Sequence, residues 1–439
     1  MSWKDDKDLG PWEFDEQPTK WGYLNNPRWS NNPKNSADSM SASEFCADRG
    51  LPVNLSNLHI PCGHWHKNPT ITYNTLYGAG NSDDGQLGQE SGQFLTFFNL
   101  GAGNGWKMVT CGSTCTLAIK FDGTLWSVGF NLVGQLGLGN YTMAYTFTQV
   151  GTGTNWDLVS GGRYHTIALK TDGTIWACGD NGEDQLGIPS ISPRTHTFTQ
   201  VGSGSDWVMV DTGPGSWHTA AIKSDGTLWV CGKNDNGQLG FGDTTNRDEL
   251  TQVGVETSWE KVSVGEAHTL ALKTDGTLWS AGLNSKGQLG QGDTTQRTSF
   301  TQVGSSYDWI DCIAGEYFSY AQKVGGAVYA TGDNDDGQLG QGDNVELDEF
   351  TRVGSLSWDF VNCGQSGAHV LFVNDDADLH TVGRNNYGQL GVGDTDDRTS
   401  VSDPNLSGIL DSAGGFHHSV VIKEITENLS TDEPQVWPM

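Results

Sequence analysis

Asp275-Gly-Thr-Leu-Trp-Ser-Ala-Gly-Leu-Asn-Ser-Lys-Gly-Gln-Leu-Gly290 decides how the chain is read, because its pattern returns along the sequence at an almost fixed interval. The Gly-Gln-Leu-Gly core starts at Gly85, Gly134, Asp184 (as Asp-Gln-Leu-Gly), Gly237, Gly287, Gly337 and Gly388, so successive copies lie 49, 50, 53, 50, 50 and 51 residues apart. Such a period marks a repeat architecture, in which each unit buries its faces only against its neighbours.

Outward from this core, each repeat divides into four pieces. A Trp-x-x-apolar-x-x-Gly segment (Trp156 to Gly162, Trp259 to Gly265, Trp358 to Gly364) precedes an alternating run such as His268-Thr-Leu-Ala-Leu-Lys273. That run has the period of two of a strand. An Asp-Gly turn, as at Asp122-Gly123, Asp172-Gly173, Asp225-Gly226 and Asp275-Gly276, is a hairpin signal leading into the Trp strand. The last piece follows Gly-Gln-Leu-Gly and ends Phe-Thr-Gln-Val-Gly, as at Phe300 to Gly304. Four short strands per unit and seven units predict an all-β fold, a seven-bladed β-propeller of four-stranded blades. Glycines would allow positive φ at the turns and leave room where strands crowd the axis.

There are seven Gly-Gln-Leu-Gly cores but eight His-type segments, since Cys62-Gly-His-Trp-His66 opens the array and Gly415-Phe-His-His-Ser-Val-Val-Ile-Lys423 ends it with half a unit. The C-terminal half-repeat is therefore expected to complete the first blade beside Thr75-Leu-Tyr77, closing the ring and removing open sheet edges. Pro69 lacks an amide hydrogen, which weakens the claim of the N-terminal copy to that strand. The expected domains are an arm over 1–57, a propeller over 58–423 and a tail over 424–439.

Trp126, Trp176, Trp229 and Trp279 recur once per unit, so they are read as filling the space between blades. His66, His165, His218, His268, His369 and His418 share one repeat position with Cys115 and Phe318, and a position that accepts Cys and Phe is structural rather than catalytic. The cysteines also replace other residues at repeat positions, which reads as half-buried thiols rather than disulfides or a metal ring. No phosphate loop, Cys-x-x-Cys pair, His-Glu-x-x-His or nucleophile elbow occurs. Asp333-Asn-Asp-Asp-Gly337 has its Gly one place early for an EF-hand loop and no closing Glu, so its acids read as solvated turn residues. No enzyme activity, cofactor or metal is expected.

Residues 1–57 carry Trp3, Trp12, Phe14, Trp21, Tyr23 and Trp29 among Asn, Pro, Asp and Ser, too few aliphatics for a core and too many aromatics for an idle tail. We read an arm that lies either on another surface or back on its own propeller, with Ser41-Ala-Ser-Glu44 as a capping box opening a short helix. Trp3, Trp12, Trp21 and Trp29, together with Trp437 in the tail, are the candidate interaction residues. With 24 Lys+Arg against 53 Asp+Glu the net charge is −29, which repels nucleic acid and anionic lipid. The polar N-terminus does not read as a secretory signal, and no stretch reads as a membrane span.

Asp-Gly-Thr-Leu-Trp-x-x-Gly-x-Asn-x-x-Gly-Gln-Leu-Gly, preceded by Gly-x-x-His-Thr-x-Ala-Leu-Lys, resembles the repeat of the regulator of chromosome condensation family over residues 58–423. The resemblance implies a seven-bladed propeller. The founding member of that family exchanges nucleotide on a small GTPase and docks on chromatin through a wedge and basic extensions, and the sequence shows no counterpart of either. Composition instead suggests a non-catalytic virion component of a phage (tail, fibre or surface protein), made in the host cytoplasm, whose partners are other protein subunits, copies of itself, or a host-surface protein or glycan. The alternatives are a cytoplasmic regulatory module of guanine-nucleotide-exchange-factor type and a glycan-binding adhesin.

Overall fold

In the computed structural model the chain is described over residues 39–41, 59–61 and 70–428, except 192 and 365–367. The repeat around residue 275 shows how its residues make a blade. Its strands are Trp259–Val264 (inner), His268–Lys273 (second), Leu278–Gly282 (third) and Arg297–Gln302 (outer), hydrogen-bonded in that order and antiparallel throughout.

The turn residues of the motif are chemically coupled. The Asp275 carboxylate accepts the Thr277 amide (3.0 Å) and hydroxyl (2.7 Å), while the Thr277 oxygen accepts the indole N–H of Trp279 (2.9 Å). The same relay joins Asp122, Thr124 and Trp126, and again Asp225, Thr227 and Trp229. It explains why Asp-Gly-Thr-Leu-Trp repeats as one piece. In the Asn-x-x-Gly-Gln-Leu-Gly turn, buried Asn284 accepts the Leu289 amide (2.9 Å) and donates to the carbonyls of Asp293 (2.7 Å) and Thr295 (3.1 Å). Leu289 is then driven wholly into the core, as is its counterpart in every repeat.

Six blades are continuous in sequence, beginning at Trp106, Trp156, Trp207, Trp259, Trp309 and Phe360. The seventh is composite. Its outer strands, Thr70–Asn81 and Gln93–Asn104, come from the N-terminal side, and its inner strands, Ile409–Gly414 and His418–Asn428, from the C-terminal side. Thr75, Leu76 and Tyr77 lie opposite Lys423, Ile422 and Val421, so the C-terminal half-repeat closes the ring as its sequence indicates. The pairing continues to Thr70 opposite Asn428, which carries the propeller five residues into the segment assigned to the tail. Glu424 and Glu427 hide that strand in the sequence because its far end is solvated.

Neighbouring inner strands come close at the axis, where Gly364 and Gly414 bridge two blades, and a side chain on Gly414 would collide with the Gly364 backbone. The apolar clusters lie between blades: one joins Ile167, Ile175 and Leu186 to Trp207, Val210 and Ala221 of the next blade. Cys111, Cys115, Cys178, Cys231, Cys312 and Cys363 are all reduced and buried. Ser39–Ser41 pairs with His59–Pro61 in a separate two-stranded sheet, so Ser41 ends a strand, and the remainder of the expected capping box lies outside the described residues. No helix of the described residues is long and apolar enough to cross a membrane.

Candidate functional site

In several repeats the inner strand is followed by a glycine whose amide is held by the carbonyl of the residue opening the second strand, as in Gly162 to His165 (2.8 Å), Gly265 to His268 (2.9 Å) and Gly315 to Phe318 (2.8 Å). The two residues between are thereby thrown onto one end of the ring. These positions change from repeat to repeat: Arg163 and Tyr164, then Trp217, Glu266, Glu316 and Tyr317, then Phe416 and His417. All are partly exposed.

Together they form a rosette around the axis. The guanidinium of Arg163 lies 5.7 Å over the ring of Tyr164 and 5.3 Å over that of Trp217, and the two rings meet edge-on at 5.6 Å. Arg163 also reaches Glu266 at 3.7 Å. Burial, and then the charge of Glu266, push the Glu316 carboxyl up to about 7. Across the ring Arg384 pairs with Asp336 at 3.0 Å, while His417 stacks between Tyr387 and Phe416, each 4.0 Å away. Burial and the nearby Arg384 hold His417 down at about 4, so it is neutral at physiological pH. The channel is bridged at this end by a hydrogen bond from the Ser113 hydroxyl to the Pro214 carbonyl, joining loops of two non-adjacent blades.

The repeat histidines do not reach this surface. His165, His218, His268 and His418 are buried, and burial holds each at about 3. His268 Nε2 lies 2.9 Å from the Ser319 hydroxyl of the next blade, which donates its own proton to the Gln288 carbonyl at 2.7 Å. The imidazole therefore donates through Nε2 and ties blade to blade. Desolvation raises the buried Cys115 and Cys312 thiols as well, which disfavours their thiolate forms.

Asp333, Asp335 and Glu346 converge closely enough to suggest a cation site, and a cation is already there: Lys286 Nζ lies 3.0 Å from Asp333, 3.3 Å from Asp335, and against Glu346. The turn acids are thus matched by a side chain. The candidate anchors Trp3, Trp12, Trp21, Trp29 and Trp437 lie outside the described residues. The rosette escapes a reading based on periodicity because it consists of the positions the repeat leaves variable. The available signal was the pair of aromatic or charged residues inside Gly-x-x-His.

Fold and rosette define a β-propeller whose blades are uniform and whose loops differ. Several of its units match the regulator of chromosome condensation (RCC1) repeat: one family model of that description matches residues 156–185 and 259–288, and a second matches 225–272, 275–322 and 376–422. Among curated proteins, the RCC2 homolog of Danio rerio is 37% identical over 87 residues, 19% of this chain and 17% of that protein, so the chain matches less than a fifth of its relative's length. Among solved structures, human WBSCR16 superposes with a TM-score of 0.72 at 20% identity, over 80% of this chain and 99% of the other. Prp20p from Saccharomyces cerevisiae, described with its binding to Gsp1p and histones, gives 0.70 at 19% identity, over 80% and 92%. At these identities the structures establish the fold.

Proposed function

We propose that the chain is a non-catalytic regulatory module that binds a protein partner on the rosette. The observation carrying this reading is the cluster of Arg163, Tyr164 and Trp217 beside Glu266 and Glu316, because aromatic and arginine side chains set in a polar surround are the usual anchors of protein interfaces. The relatives favour the regulatory reading over the virion one expected from composition. Prp20p is described with its binding to Gsp1p and histones, and the same protein, yeast RCC1 (Prp20), is described bound to Kap60, so proteins are the partners of one similar propeller. The virion reading draws no comparable support.

Affinity capture from the source cell with the full chain, followed by titration of the captured protein, tests the proposal. Trp217→Ala and Arg163→Ala should each weaken binding by about tenfold or more while leaving the melting temperature within a few degrees of the parent. Unchanged affinity in both variants would move the partner away from the rosette.

A further inference from the structure

Within the rosette one carboxylate lacks a counter-charge. Glu266 and Glu316 follow Gly265 and Gly315 in consecutive repeats, and the Glu266 amide, donating to the Gly315 carbonyl at 3.4 Å, ties the first loop to the second. The charged groups facing Glu316 are Glu266, Asp333, Arg163 and Arg384, with the Tyr317 hydroxyl beside them. Both guanidinium groups are engaged elsewhere. Arg163 lies over the rings of Tyr164 and Trp217 and reaches Glu266 at 3.7 Å, while Arg384 is paired with Asp336 at 3.0 Å. Asp333 is matched by Lys286. Glu316 itself makes no hydrogen bond or ion pair among the described residues, and the neighbouring Glu266 Oε2 is buried without a hydrogen bond. Turning Arg163 or Arg384 onto Glu316 only transfers the deficit to Glu266 or Asp336.

We infer that the protein partner docks with one lysine or arginine side chain set against Glu316 and Glu266, an inference that rests on the rosette being the binding face. A partner covering this corner with an apolar or acidic side chain desolvates a carboxylate that nothing compensates, whereas a cation forms charge-assisted hydrogen bonds with it. Docking is then linked to a proton. Burial, and then Glu266, raise Glu316 to about 7, so near neutrality it carries a proton part of the time. A cation beside it favours the ionised form and releases that proton. Affinity therefore increases as pH rises, by about tenfold between pH 6 and pH 8, and levels off above. Tyr317, at about 12, and His417, at about 4, keep their charge over that range.

Fluorescence anisotropy with the full chain tests this, using labelled, end-capped pools of short peptides whose uncharged, randomised flanks surround one fixed residue. That residue is arginine, lysine, or citrulline, the neutral isostere of arginine. The arginine and lysine pools should bind and the citrulline pool should not. Glu316→Gln keeps the shape of the side chain; it should weaken binding of the arginine pool about tenfold at pH 8 and remove the rise between pH 6 and pH 8. Because the whole chain is acidic, Glu349→Gln, on the exposed part of an outer strand, is the charge-matched control and should change neither. Equal binding of the arginine and citrulline pools, or a pH rise that survives in Glu316→Gln, overturns the inference. Trp217→Ala separates it from the reading it rests on: binding lost in Trp217→Ala but kept in Glu316→Gln leaves the rosette as the docking face without this contact, and binding kept in both removes the face as well.

Discussion

Asp184 occupies a position that is glycine in the other six repeats, and the backbone makes no allowance for it: φ is 64° there and 71–91° at the six glycines. A side chain in the left-handed region costs about 1–2 kcal/mol. Burial and the neighbouring Asp248 and Glu183 add to the strain by raising the Asp184 carboxyl above its ordinary value. Asp184→Gly should therefore stabilise the fold by about 1 kcal/mol, read as a higher urea midpoint with unchanged slope. The reverse change at an intact site, Gly287→Ala, should destabilise by about 1–3 kcal/mol, since its methyl would stand 2.6 Å from the Leu347 carbonyl oxygen and the Asp348 Cα. Equal midpoints for Asp184→Gly and the parent would show that this turn carries no strain.

At the scale of the strand, the two tryptophans that four of the blades carry do different work. Trp229 of the third strand is only partly buried, with its ring under the Lys223 ammonium at 4.7 Å, whereas Trp207 of the inner strand is 7% exposed in the layer between blades. Alternation in a sequence tells which face a residue uses but not its depth in the ring, so the recurrence of Trp126, Trp176, Trp229 and Trp279 was legible and their partial exposure was not. Trp207→Ala should accordingly destabilise by about 3–5 kcal/mol and Trp229→Ala by clearly less, measured by denaturant unfolding of each variant. The histidine rungs between blades give a pH dependence. His268 stays neutral down to about 3 when folded but takes a proton near 6.5 when unfolded, so its contribution is present above 6.5 and is lost as pH falls from there towards 3. Phe318 shows that the same position accepts an aromatic hydrocarbon, so His268→Phe is the matched control. Between pH 7.5 and pH 5 the parent should lose about 2 kcal/mol more stability than His268→Phe, and parallel pH profiles would mean that His268 is not sequestered.

Over the whole molecule, what the sequence made legible was what repeats: the strand order, the turn chemistry and the half-unit left over to close the ring. The rosette was not legible, because it is assembled from positions that differ between repeats and meet only once the ring is closed. Closure is also where stability should be concentrated. The last two strands supply Ala413, Val420 and Ile422 to a cluster with Leu76, Leu87 and Leu100 from the opposite end of the chain, and they place Gly414 against Gly364 at the axis. Without them Thr70–Asn81 becomes an open edge, and the layers on both sides of the gap lose a partner. Deleting residues 409–439 should therefore lower the melting temperature, broaden the transition and expose apolar surface to a reporter dye, while deleting only 429–439 should leave the parent transition intact. Calorimetry of both truncations decides the matter: a 409–439 deletion that melts with the sharp transition of the full chain would mean that each blade is held by its sequence neighbours alone and that the ring needs no fastening.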